Sequence, residues 1–253
     1  MRIHSLVAVV ALATLPSCYQ FAVTAHAGFA QYAIEGDLGY VDGSSAAAVD
    51  QDVESAFGIG DDQGTPVARI AIDTGVPVLS ASGFMFDEQG SGVLQGSFGN
   101  AFAAGLPVNS DFELTNLKAA YAFKIPLGPV SVSPGVGLDY FDLTLELRDQ
   151  FGFGRETLEL KAPVPIGFLR GEVNLGDYVS LLAEGGYMSI LVDDFDMTLL
   201  DIEAMLMVRP TKMLDLFVGY RMIDFEGEGE IESDRTDANF QFGGFMIGGG
   251  VRF

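Results

Sequence analysis

Apolar residues return at every second position along most of this chain, and that period limits its fold more than any motif does. In Val130 to Tyr140, Val130, Val132, Val136, Leu138 and Tyr140 alternate with Ser131, Ser133, Gly135, Gly137 and Asp139. Leu200 to Arg209 and Leu214 to Met222 repeat the pattern, and Tyr32 to Tyr40 sets Tyr32, Ile34, Leu38 and Tyr40 against Glu35 and Asp37. Strict alternation is the mark of a strand with two different faces. No segment carries the roughly 18 consecutive apolar residues that a spanning helix needs.

Two all-β classes fit such alternation, a soluble sandwich and a membrane barrel. A soluble sheet would carry Lys and Arg freely on its wet face. Here the polar face is rich in Gly, Ser, Ala and isolated acids, as a crowded barrel lumen would be. The turns agree. Tight turns at 75–77, 126–129, 176–177 and 210–212 alternate with longer polar connections at 42–65, 87–110, 149–155, 191–197 and 226–238. Short on one side and long on the other is the pattern of outer-membrane barrels.

The expected fold is therefore all-β, an antiparallel transmembrane β-barrel of about ten strands, with eight as the alternative. The spans are near 30–41, 66–74, 78–90, 111–125, 129–148, 156–175, 178–190, 197–209, 213–226 and 238–253. Within the first long connection, Val49, Val53 and Phe57 stand at helical spacing, which leaves either a short helix near 49–58 or an irregular loop. The apolar face is expected to meet lipid, with Tyr32, Leu38, Val136, Leu206, Val218 and Val251 outside. Tyr32 with Tyr40, and Phe245 with Phe253, are spaced as two aromatic girdles would be.

The first residues read as targeting. A short basic start precedes the ten-residue apolar run Leu6–Leu15, and Ala25-His-Ala27 offers a small-x-small cleavage pattern. The expected domains are a signal peptide, 1–27, and one barrel, 28–253. Leu15-Pro-Ser-Cys18 offers lipidation at Cys18 as a second reading. A chain cut after Ala27 contains no Cys, His or Trp.

The last segment, Phe240-Gln-Phe-Gly-Gly-Phe-Met-Ile-Gly-Gly-Gly-Val-Arg-Phe253, ends an alternating strand on a C-terminal Phe. It resembles the closing strand of Gram-negative outer-membrane barrel proteins. With the leader and the turn asymmetry, the chain resembles the small barrels of the OmpA-type and porin-like superfamily. Asp52-Val-Glu-Ser-Ala-Phe-Gly58, Val76-Pro-Val-Leu79 and Phe217 to Phe225 resemble an uncharacterised subgroup. The resemblance implies an outer-membrane location, contact with outer-membrane lipid and lipopolysaccharide, and delivery by the barrel assembly machinery. It also implies an assembly signal at Phe245, Ile247, Val251 and Phe253.

The chemistry is sparse. Thirteen Lys and Arg against 35 Asp and Glu give a net charge of −22, which excludes a nucleic-acid binder that must neutralise phosphates. A barrel without His or Cys lacks the usual base and nucleophile, so no enzyme is expected, and no cofactor. Glu226, Glu228, Glu230 and Glu232 are weak candidates for divalent cations; the bland reading is a solvated acidic loop. By parity Glu35, Asp37, Arg69, Asp73, Lys118, Lys124, Asp139, Arg170 and Glu172 face inward. So do Glu184, Asp201, Glu203, Arg209, Asp215, Arg221 and Arg252. Charges in a narrow lumen must pair. A paired network that includes Glu184, Glu203, Arg209, Asp215, Arg221 and Arg252 is expected to plug it. The expected role is structural, adhesive or narrow-channel. The alternative is a transport barrel whose acidic loops capture divalent cations or a cationic ligand.

Overall fold

The computed structural model describes residues 21–41, 49–99, 102–151, 154–192, 195–231 and 234–253. They form one antiparallel sheet closed on itself. The wall strands are β1 (Ala22–Val41), β3 (Gln63–Asp73), β4 (Pro77–Val93), β5 (Pro107–Phe123), β7 (Val130–Asp149) and β8 (Arg155–Asn174). β9 (Val179–Val192), β10 (Phe195–Val208), β11 (Leu214–Ile231) and β12 (Asp234–Arg252) complete it. Two short strands, β2 (Gln51–Asp52) and β6 (Ile125–Leu127), pair beside β1 and β7. β12 pairs with β1 from Thr24–Arg252 to Val41–Arg235, so the ten-stranded wall has no free edge at its closure.

Most wall strands change character halfway up. On β7 the outward face reads Val136 and Leu138, then Asp142, Thr144, Glu146 and Arg148, while the inward face reads Ser131, Ser133 and Asp139, then Phe141, Leu143, Leu145 and Leu147. On β8 the outward face runs from Leu169, Gly167, Pro165 and Pro163 up to Lys161, Glu159, Thr157 and Arg155. Its inward face runs from Glu172 and Arg170 up to Phe168, Ile166, Val164 and Ala162. β5 and β11 invert in the same way, from Tyr121 and Leu117 to Glu113 outside, and from Val218 and Tyr220 to Glu226 and Glu228 outside. The half beside the tight turns is built for lipid, apolar outside and charged within. The half beside the long connections is built for water, polar outside with an apolar core.

This inversion corrects the expected facing of β1. Tyr32 and Leu38 are 1% and 2% exposed and sit in the core, while Glu35 and Asp37 stand outside. Tyr40 also turns inward, against Phe98 at 5.5 Å between rings, so Tyr32 and Tyr40 are no girdle. The physical reason is that β1 lies largely in the water-facing half, where apolar side chains leave water by going in. Val136, Leu206, Val218 and Val251 do face outward. The expected loops at 87–110 and 226–238 are also shorter. β4 runs on to Val93 and β11 to Ile231, because alternation continues above the membrane.

The described part of the first long connection, residues 49–62, folds into the barrel mouth. It carries the helix α1 (Val53–Phe57), capped by Asp52, whose carboxylate accepts the Ser55 N–H at 2.8 Å. The Ser55 hydrogen bonds hold the Asp52 carboxyl below its ordinary range. Val53, Ala56 and Phe57 are buried, and Phe57 meets Phe98 of the next connection at 5.5 Å. Inward glycines on β4 make room: a Cβ on Gly92 would stand 2.2 Å from the Ala56 carbonyl oxygen, and one on Gly90 2.2 Å from that of Gly58. The Glu88 carboxylate accepts the N–H groups of Gly60 and Asp61 at about 3 Å, and the Gln51 amide oxygen accepts those of Gln95 and Gly96. These bonds tie both connections into one lid.

Candidate functional site

The lumen is the only chemically dense region among the described residues, and the strand register stacks it in layers. Lowest, Asp215 on β11 collects Arg252 Nη2 at 3.4 Å, Arg209 Nε at 3.6 Å and His26 Nε2 at 3.2 Å. Arg209 also donates to the Ser180 hydroxyl at 2.9 Å and approaches Glu172 at 3.7 Å. One layer up, Glu184 on β9 is paired with both Arg69 and Arg170, and Arg69 reaches across to Glu203 at 2.6 Å. Above that, Asp201 on β10 accepts Lys118 Nζ at 2.7 Å and two bonds from Arg221 at 3.0 and 2.8 Å. Arg221 donates as well to the Asn116 carbonyl at 2.9 Å, and the Asn116 amide donates to Asp139 at 2.5 Å.

The charges balance. Arg69, Lys118, Lys124, Arg170, Arg209, Arg221 and Arg252 face Asp73, Asp139, Glu172, Glu184, Asp201, Glu203 and Asp215. Burying so many charges is tolerable because nearly all are in contact with a partner of opposite sign, Asp139 being held by the Asn116 amide instead. The Arg221 guanidinium closes the stack by lying 5.3 Å from the Phe84 ring centroid. Aromatic packing begins there: Phe84 stacks on Phe242 at 5.1 Å, and Tyr32 and Phe86 meet Phe242 at 5.1 and 4.8 Å.

The structure therefore brings together Glu184, Glu203, Arg209, Asp215, Arg221 and Arg252, as parity predicts, and leaves Glu35 and Asp37, which parity places inside, on the outer face. Two members escaped sequence reasoning. Asn116 shares its face with Lys118, and parity would have found it had neutral polar residues been weighed with the charges. His26 falls within the expected leader, 1–27. In the structure it belongs to β1, with its ring edge-on to Phe217 at 5.8 Å. Its Nδ1 is buried without a hydrogen-bond partner among the described residues.

The acidic candidates lie elsewhere. Glu226 and Glu228 face outward near the top of β11, where β10 sets Asp196 opposite Glu228 and β12 sets Asp237 on its other side. Glu232 and the side chain of Glu230 lie outside the described residues. Among the described residues no group of three or more His, Cys, Asp or Glu is placed to hold a metal ion. Among the described side chains of the upper wall, Arg148 and Arg155 pair with Glu146 and Lys161 with Asp142. The water-facing wall is thus strongly acidic.

Phe245, Ile247, Val251 and Phe253 form one outward stripe on β12, with Phe245 71% exposed. They end the apolar belt at the closure with β1, where Val23 and Phe253 exchange backbone bonds at 3.0 and 2.9 Å.

With that belt and a closed ten-stranded wall, the chain can be compared with solved structures. The outer membrane protease OmpT of Escherichia coli superposes with a TM-score of 0.52 at 9% identity, over 95% of this chain and 98% of that one. The fold is that of an outer-membrane β-barrel. The translocator domain of the autotransporter NalP from Neisseria meningitidis gives 0.43 at 14% identity, over 98% and 94%. Ail, the attachment invasion locus protein of Yersinia pestis, solved with the heparin analogue sucrose octasulfate, gives 0.38 at 12%, over 92% and 99%. No protein-family model matches the sequence, and neither does any curated protein. The barrel turns an apolar half to lipid and an acidic half to water.

Proposed function

We propose that this chain is a closed, non-enzymatic surface barrel with a structural or adhesive role, which holds a folded acidic platform above the outer leaflet. One observation carries the reading: paired charges from Asp215 to Arg221 reach across the lumen, and described parts of the first two long connections, bound by Gln51 and Glu88, pack at its mouth. A solute path would need an open, water-filled cross-section, as wider barrels have. The described lumen offers no nucleophile beside His26. The acidic wall favours cationic partners, or anionic lipopolysaccharide bridged by divalent ions, over free polyanions.

A planar-bilayer recording tests this. The wild-type barrel should show no steady conductance of porin size, and an Asp201→Asn variant, which frees Lys118 and Arg221, should show brief openings. A large, stable wild-type conductance would overturn the closed reading.

A further inference from the structure

One seam of the closed wall is joined only along its lower half. β8 and β9 pair from Gly167–Tyr187 down to Asn174–Ser180. Above that level β8, from Arg155 to Ile166, pairs with β7 alone among the described residues, while β9 pairs with β10 and ends at Val192. Carried upward, the β8–β9 register would set Pro165 opposite Ser189 and Pro163 opposite Leu191, and it would run out of β9 at Ala162. Arg155 to Lys161 therefore rises past the end of its neighbour. In an antiparallel ladder successive residues turn their N–H and C=O groups to opposite sides. Asn174 donates to the Pro129 carbonyl at 2.8 Å, on the β7 side, so the even-numbered residues of β8 serve β7 and the odd-numbered ones serve the side of β9. Pro163 and Pro165 belong to the odd set. They end the ladder with β9 without removing a bond from the ladder with β7. Above them Arg155, Thr157, Glu159 and Lys161 turn both backbone groups to the open side.

The side chains agree with an edge that awaits a neighbour. Leu158, Leu160 and Ala162 face inward and are only half-buried, whereas Leu143, Leu145 and Leu147 beside them on β7 are buried. A further strand on the open side would cover them. Elsewhere the chain fills such a gap itself. β3 and β4 pair only below Val67–Phe84, and above that level Gly58 packs on the backbone of Ser91 while Gly60 and Asp61 donate to Glu88. No described residue does the same for β8. A guarded edge aims its charges across the gap. Here Arg155 and Lys161 turn back to Glu146 and Asp142 of β7. Glu159 is the charge that remains for the open side, and beyond the gap the outer wall carries Asp196, Glu226 and Glu228.

We propose that the upper edge of β8 docks an extended segment of another protein, which adds to the wall as a strand with apolar residues facing inward and a Lys or Arg beside Glu159. Donors and acceptors repeated at every second residue, about 7 Å apart, match the edge of an extended backbone and no small molecule. The edge lies above the apolar belt, so its partner arrives from water. This names a partner for the adhesive role proposed above and rests on that reading.

The full chain in lipid nanodiscs is titrated against the fluorescein-labelled peptide Thr-Val-Thr-Val-Lys-Val-Thr-Val-Thr and followed by anisotropy. Saturable binding is expected. Two further peptides carry backbone N-methyl groups, one on its Val residues and the other on its Thr and Lys residues. An added strand turns only one of these sets to β8, so one methylated peptide should bind at least tenfold more weakly and the other within about twofold of the parent. Attraction to the acidic wall alone would treat the two alike. Thr157→Pro repeats on the upper edge what Pro163 and Pro165 do below it, and should weaken binding at least tenfold while the barrel keeps its folded mobility on gels. Glu159→Lys should reverse the preference, so that the peptide with Glu in place of its Lys binds better. If Thr157→Pro does not fold, the two methylated peptides decide. No saturable binding, or equal binding of both methylated peptides, would overturn the docking edge. Nanodisc pairs that Thr157→Pro separates would put a second copy of this chain on the edge and overturn the foreign partner. Neither result touches the closed lumen, which stands or falls on the conductance recording.

Discussion

Arg221 holds three groups at once: the Asp201 carboxylate, the Asn116 amide and the face of Phe84. It joins the charged lumen to the aromatic core, so its loss is felt on both sides. Arg221→Met keeps the bulk but leaves Asp201 with Lys118 alone. Breaking a buried pair by removing one partner costs about 3–5 kcal/mol. Urea unfolding in lipid vesicles, followed by gel mobility, should show a loss of that order. The double variant with Asp201→Asn should recover part of it, because the acid no longer needs a cation. Equal stability of Arg221→Met and the wild type would count against a tightly paired lumen.

Among the elements, β1 joins both ends of the chain. Its first residues, Ala22 to Ala27, pair with β12 on one side and β3 on the other. A cut after Ala27 would remove the partner of Phe253 and the ring that meets Asp215. The N-terminal residue of the protein isolated from outer membranes is expected upstream of Ala22, and mass spectrometry of the intact chain would show it. A mature chain that starts at Gly28 would contradict this. At the other end, Phe253→Asp places a charge in the apolar belt and should sharply reduce the heat-modifiable barrel recovered from membranes. Normal recovery would remove Phe253 from the assembly signal.

The strands were legible because alternation needs only a two-sided environment, and turns such as Pro126 to Pro129 mark where each strand stops. Arg69, Glu184 and Asp215 were legible for the same reason. Tyr32 and Glu35 were not, since a period of two says that the faces differ and never which face is dry. The lid was hidden too: Gly90 and Gly92 record a close approach, but not of which segment.

At the scale of the whole molecule, the two halves can be separated by labelling. A cysteine at Val136 should take a lipid-soluble reagent, and one at Thr144, on the same face of the same strand, a water-soluble one. Lipid labelling at both positions would mean that the belt runs the full height and that the inversion has no bearing on membrane depth.

The inversion also gives the barrel a waterline. Raising it by one residue pair per strand would lift outward apolar side chains such as Leu138 and Tyr220 out of lipid. Lowering it by the same step would drag Glu113, Lys161 and Asp224 down into it. Both moves cost free energy at many strands together, so the draught is fixed without the indole anchors that other barrels use, and this chain has no Trp. The same constraint forbids shortening the protein from the top. Trimmed to its lipid-facing half, the cylinder would present the rings of Phe84, Phe86 and Phe242 to the medium like an uncorked bottle, and it would stick to whatever apolar surface it met.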